Sequence, residues 1–297
     1  LVLGDYFKSG ADFLRYTTLA DELITWLRSK TYVLGLLRNI QTELSQGTRK
    51  ILSVIRAVLT RWTSHFLAYR RLLELQRFLI ILVDKDAALP TSSIITGNAA
   101  ARNKARSMIA LIRNGLFWHS LLMLKRHLEP FALCVTITQA ATARLDTIIL
   151  TFAIIYLTFD QMTLDEEQPA RDAVCSSVNM RWLNSDQDVF IAAVILNPLY
   201  RGRPFRKESI HFNVGNIHLL MCRLYKRFFH RDPLGTSLWS EVQSYLTAKN
   251  NYTNIDIFVK MESDISVQEV SRTISTNFTI QIAAHLTFTI VLLEATQ

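Results

Sequence analysis

Residues 48–89 contain neither glycine nor proline, and that uninterrupted run constrains the fold more than any other feature of the chain. A sheet-rich fold needs frequent turns, and turns draw on Gly and Pro. The shortage extends further: 9 glycines in 297 residues is about 3%, against an ordinary usage of ~7%. Only 6 prolines are present. The expected architecture is therefore mainly α, a helical bundle with little or no sheet. A hydrophobic content of 49% with 20% charged residues supplies a core and speaks against disorder. The length allows one large domain or two ordinary ones.

Apolar spacing fills in the elements. Leu19, Leu23, Trp26, Leu27, Leu34 and Leu37 recur every three or four residues, which predicts a helix over 11–44. Gln46, Gly47 and Thr48 break it. Leu59, Trp62, Phe66, Tyr69 and Leu73 form the next stripe, with Arg70, Arg71 and Arg77 off it and Thr60 placed to cap a start before Trp62. Residues 84–98 read as a loop and 99–113 as a helix, with a turn at Asn114–Gly115. The helix that follows, 116–129, is expected to stop near Pro130, since proline lacks the N–H and clashes with the preceding turn. An apolar helix or pair over 131–160 leads to a surface connection at Asp165–Pro169. Helices at 170–182 and 186–196 end at Asn197–Pro198. After a basic loop over 199–213, residues 214–230 place Ile217, Leu220, Met221, Leu224 and Phe228 on one face and Arg223, Lys226 and Arg227 on another. A break at 232–235 and a short helix at 237–247 close the patterned part. The predicted organisation is a helical region over 1–47, an all-helical domain over 48–248 and an atypical tail over 249–297.

The formal net charge is +8, and its distribution is more telling than its sum. Residues 201–231 hold Arg201, Arg203, Arg206, Lys207, Arg223, Lys226, Arg227 and Arg231 against Glu208 alone. Residues 102–126 hold six Lys/Arg and no acid, and 56–77 hold five against Glu74. Segregated positive charge attracts polyanions, nucleic acid above all. Three solvated helix faces on a merely basic protein would give the same pattern, and charge alone leaves the two readings open.

Other classes are set aside on chemistry. Cys134, Cys175 and Cys222 are widely spaced with no CxxC pair, so neither a disulfide framework nor a zinc site is expected. The longest apolar run, 147–159, is shorter than the ~18 residues a membrane span requires and reads as a buried core helix. Leu1–Phe7 resembles the middle of an apolar element rather than a signal peptide, so the chain is expected to be a fragment, nuclear or cytoplasmic and not secreted. Ser64 and His65 are neighbours that diverge by about 100° on a helix and read as surface or capping residues. His119, His127, His211, His218 and His230 lack metal-ligand spacing with acids or cysteines. Asp186 and Asp188 read as first-turn acids favoured by the helix dipole, and Asp165–Glu167 as a surface run. No nucleotide-binding glycine loop is present.

Three segments then stand out in order: Thr60-Arg61-Trp62-Thr63-Ser64, Leu128-Glu129-Pro130-Phe131 with Thr136 beyond it, and Ala192-Ala193-Val194-Ile195-Leu196-Asn197-Pro198-Leu199-Tyr200. Together they resemble the hAT (hobo–Activator) DNA transposases, in which T-R-W-N-S, L-x-P-F…T and A-A-x-L-D-P-x-Y segments follow one another. The resemblance covers about residues 1–247. Thr63 stands in the Asn position and Asn197 in the Asp position. The family implies an RNase H-like core interrupted by a helical insertion domain, and this chain resembles that insertion. It also implies three acids holding two divalent metal ions such as Mg for strand cleavage. Two of those acids precede the matched region and the third belongs to a segment with no counterpart here, so no catalytic residue and no cofactor is expected in this chain. Arg61 and Trp62 match a pair that reaches the DNA; the ring would stack on a flipped base at ~1–3 kcal/mol and the guanidinium would hold a phosphate. Trp62 also fits as the large member of its core stripe.

The resulting expectation is an inactive transposase fragment that keeps non-specific DNA binding through Arg61, Trp62, Arg201, Arg203, Arg206, Lys207, Arg223, Lys226 and Arg227. Its partner is DNA, at transposon ends and along the phosphate backbone, with self-association as a further option and no membrane. Two alternatives remain: part of an active transposase whose acids lie outside this chain, or a helical protein-interaction module.

Overall fold

A computed structural model describes residues 1–45, 50–58, 62–198, 200–201, 213–233, 235–255 and 257. Among them eleven α-helices occur: α1 (Val2–Phe7), α2 (Tyr16–Arg28), α3 (Thr31–Ser45), α4 (Trp62–Ala87), α5 (Ala99–Ile112), α6 (Gly115–Thr138), α7 (Leu145–Asp160), α8 (Gln168–Leu183), α9 (Gln187–Leu196), α10 (Val214–Phe229) and α11 (Gly235–Leu246). Short 3-10 turns span Asp12–Arg15, Asp165–Glu167 and Asn250–Tyr252. No strand occurs among the described residues, so the chain is mainly α as its composition demands.

Two compact units divide the chain. The first comprises Leu1, Leu3–Thr136 and Met162–Ala173; the second comprises Val2, Ile137–Gln161 and Val174–Gln297. In the first, α3 packs on α2 and α4, and α4 on α5. The face of α4 that makes this possible is Phe66, Tyr69, Leu72, Leu75, Leu79 and Val83, all buried at helical spacing, while Arg70 and Arg77 point to solvent. In the second, α9 packs on α7 and α10, and α10 on α11, closing Val194, Ile195, Ile217 and Val242 into a small core.

Caps start two helices where the sequence places asparagine. Asn98 Oδ1 accepts the Ala101 N–H at 2.9 Å to open α5, and Asn213 Oδ1 accepts that of Asn216 at 2.8 Å to open α10; each satisfies one of the donors that a helix start leaves orphaned. Asn114 does the same at the break between α5 and α6, accepting from Leu116 at 2.9 Å, where the two helices bend by 70°.

Several expectations are corrected. The single helix over 11–44 is a 3-10 turn followed by α2 and α3, because Ser29 closes α2: its hydroxyl donates to the Trp26 carbonyl at 2.8 Å and its N–H to Thr25 at 3.0 Å. Pro130 does not end a helix; it lies buried inside α6. An interior proline costs about 3 kcal/mol, but Leu124, Leu128, Phe131 and Cys134 around it are all buried. Each fully buried large side chain contributes about 1.5–3 kcal/mol, so packing on both sides outweighs the missing hydrogen bond. The loop expected at 84–98 begins only after Ala87. Phe228, assigned to the apolar face of α10, is 64% exposed, because the buried face ends at Leu224. The run at 147–159 falls within α7, and of its residues Thr151, Ala153, Tyr156 and Phe159 are buried and the others half-buried. No single helix among the described residues is long and apolar enough to cross a membrane.

Candidate nucleic-acid interface

The nine residues proposed to meet DNA fall into three groups. Arg61, Arg203, Arg206 and Lys207 lie outside the described residues. Trp62 is the first residue of α4, and its side chain is likewise outside them. Arg201 is described and is not presented to solvent: it is 8% exposed, sits at φ 47°, and donates its N–H to the Asn197 carbonyl at 2.8 Å. At that exposure little of the residue is open to an approaching phosphate.

Arg223, Lys226 and Arg227 share the outer face of α10, as their spacing predicts, but each meets a carboxylate. Arg223 grips Asp188 in a bidentate pair with both hydrogen bonds at 2.7 Å. Arg227 pairs with Asp186, and Lys226 reaches Asp232 at 3.1 Å. The Arg223 hydrogen bonds hold the Asp188 carboxyl below its usual range against a smaller opposing effect of desolvation, and Asp188 in turn raises the guanidinium. Asp186 and Asp188 are thus more than first-turn acids; they neutralise the facing helix. A phosphate approaching α10 would have to displace carboxylates already in place.

The charge balance of the two units differs. The first carries 20 Lys/Arg against 13 Asp/Glu, a balance of +7, and the second 13 against 12, a balance of +1. Within the first unit α5 contains no acid. Arg102, Asn103, Lys104, Arg106, Ser107 and Arg113 on or beside it are all exposed. At 100° per residue, Arg102, Arg106 and Arg113 fall within about 40° of one another and form one stripe. Lys104, on another face, pairs with Glu22, and Arg113 reaches Asp84 at 3.0 Å. Arg102 donates to the Gly97 carbonyl at 2.8 Å and Arg106 to Asn103 Oδ1 at 3.0 Å, both neutral acceptors. The acid-free window at 102–126 contained this signal, in the four-residue spacing of its first two arginines.

Two buried polar clusters are invisible to spacing and composition. In the first unit His127 and Glu167 have fully buried side chains. His127 Nε2–H donates to Glu167 Oε1 at 2.8 Å, which leaves Nδ1 to accept the Tyr6 hydroxyl at 3.2 Å. Arg126 approaches the same carboxylate at 3.4 Å. Desolvation pushes the His127 imidazole below its ordinary value, only partly opposed by Glu167. The surface run expected at Asp165–Glu167 is corrected accordingly: Glu166 meets the exposed His119 at 2.9 Å, while Glu167 turns inward to satisfy His127. His65, expected at the surface, is also buried and lies 3.4 Å from the Tyr69 hydroxyl. In the second unit Asp146, its side chain 3% exposed, is bound by Arg144 and by the Asn197 amide. An aspartate at 197 would set two carboxylates against each other, so the amide here complements Asp146.

Among the described residues no group of three His, Cys, Asp or Glu side chains is placed to hold a metal ion. Comparison with protein-family models, with curated proteins and with solved structures gives no match.

Proposed function

We propose that this chain binds duplex DNA through phosphate contacts, as the helical insertion region of a nuclear transposase resembling the hAT type, and that strand cleavage is not among its own activities. The observation that carries the reading is the charge asymmetry: the first unit holds nearly all of the excess, +7 against +1. A field of one sign gathered on one body raises the local concentration of a polyanion and speeds its capture. The three ordered segments, from Thr60 to Tyr200, support the transposase assignment. The statement on cleavage rests on the same resemblance, which carries none of the family's metal-holding acids onto the matched residues 1–247.

Anisotropy of a labelled random duplex, titrated between about 50 and 200 mM salt, tests the binding. The logarithm of the association constant is expected to fall linearly with that of salt, by about 0.9 per phosphate neutralised. No binding at the lowest ionic strength overturns the reading. Magnesium-dependent nicking of a transposon end overturns the statement on cleavage.

A further inference from the structure

Helices α5 and α10 each present arginines on an outer face but are electrostatically unlike. We infer that duplex DNA is tracked by the outer face of α5, through Arg102 and Arg106 with Asn103 and Ser107 beside them, and not by α10, despite the sharper amphipathic pattern of the latter. The inference rests on the DNA-binding reading and specifies its surface.

On α10 every cation of the face has a carboxylate: Arg223 has Asp188, Arg227 has Asp186 and Lys226 has Asp232. That face is close to neutral as folded. Binding phosphate there would exchange one anion for another and leave three acids beside the backbone. On α5 the acids of the packed helices reach other residues: Glu22 of α2 is taken by Lys104 and Asp84 of α4 by Arg113. Among the described residues no carboxylate pairs with Arg102 or Arg106. Their partners are a backbone carbonyl and an amide oxygen, which occupy a single N–H each from a guanidinium that carries five. The positive charge is therefore uncompensated while the side chains are already oriented.

Dimensions agree with the assignment. Arg102 and Arg106 stand about 6 Å apart along the helix, and the stripe to Arg113 runs about 16 Å at ~1.5 Å per residue. One strand of a duplex of that length carries roughly five phosphates at one per ~3.4 Å of axis, so a backbone laid along α5 can meet both arginines. Exposed Asn103, one position beyond Arg102, accepts Arg106 through Oδ1 and keeps its amide N–H as a neutral donor of the kind that accompanies phosphate contacts.

The test compares two double variants of the full chain in the same salt titration with the same random duplex. Arg102→Gln with Arg106→Gln is expected to lower the magnitude of the salt slope by about 2, close to 0.9 for each phosphate that is no longer neutralised. Arg223→Gln with Arg227→Gln is expected to leave the slope where it was. Far-ultraviolet circular dichroism checks that both retain their helices. If the wild type binds and the α5 pair is silent, or if the α10 pair lowers the slope as much or more, the assignment to α5 is overturned while the DNA-binding reading stands. If the wild type does not bind, both fall together.

Discussion

At the scale of single residues, His127 and Glu167 form an ionisable pair whose side chains are both shut off from solvent. The groups facing them are Tyr6 from α1, Arg126 from α6 and Glu166 from the adjoining turn. Removing one member of such a pair leaves a buried charge without its main partner and costs about 3–5 kcal/mol. His127→Leu is expected to fall near the lower end of that range, because Arg126 still approaches Glu167, and His127→Gln should recover part of the loss by offering an amide donor. The urea midpoint of each variant measures this. The pH dependence follows from the direction of the imidazole shift. His127 is held below 6.5 in the folded state, so the unfolded chain binds the extra proton first. The contribution is complete above about 6.5 and is lost as pH falls toward the folded value. The wild type should lose stability between pH 7 and 5, and the Gln variant should lose less. An identical slope in both would show that His127 does not titrate in this window.

At the scale of elements, the connection between α4 and α5 is fastened by one side chain. Asp86, 6% exposed, accepts hydrogen bonds from the Ser92 hydroxyl, from the Ser93 N–H and hydroxyl at 2.7 Å each, and from the Ile94 N–H at 3.2 Å. That clasp places Ile94 in the core at 3% exposure and sets where Asn98 begins α5. Desolvation alone would raise the carboxyl, but the hydrogen bonds from Ser92, Ser93 and Ile94 outweigh it and hold Asp86 below 3.8. Its stabilisation is therefore present above about 3.8 and lost as pH falls through the folded value. Asp86→Asn is expected to lower stability by about 2–3 kcal/mol at neutral pH, from the loss of charge-assisted bonds, with the gap to wild type narrowing near pH 3. Denaturant midpoints at both pH values decide it, and a gap that stays constant would mean the carboxylate charge is not what holds the loop. The elements themselves were largely legible: α4 and α10 follow apolar spacing, and α5 lies between the loop and the Asn114–Gly115 turn that bound it in the sequence; the asparagine caps of α5 and α10 were not read there. The break at Ser29 and the passage through Pro130 were not, because both are settled by what is buried on either side of the local signal. The basic face of α10 was legible too. Its neutralisation was not, since Asp188 lies 35 positions from Arg223 and no one-dimensional pattern pairs them. Glu167 was missed for the same reason, its histidine being 40 positions away.

At the scale of the whole molecule, the two units differ in how their cores are filled. Among the described residues, eleven of the twelve largest fully buried side chains belong to the first unit, from Tyr6 and Leu23 through Leu75 and Leu79 to Met108 and Phe117, and only Phe159 belongs to the second. The second unit instead closes on small clusters such as Ala192, Leu220 and Leu224 at 4–8% exposure, and α10 ends with Phe228 and Phe229 more than half exposed. Local opening is easiest where few apolar contacts hold an element. Amide hydrogen exchange of the full chain should therefore be slowest in the middle of α2, α4 and α6, around Leu23, Leu75, Leu79 and Leu124, and should proceed through lower-energy openings in α10 and α11. The difference is expected to be several kcal/mol in opening free energy, because each fully buried large side chain contributes about 1.5–3 kcal/mol and the first unit has many more of them. Equal protection in α10 and α4 would contradict this. The ordering also bears on the DNA contact: α5 is held by Ala105, Met108, Leu111 and Ile112, all buried, so its arginines project from a rigid support and lose little freedom when a phosphate backbone is laid along them.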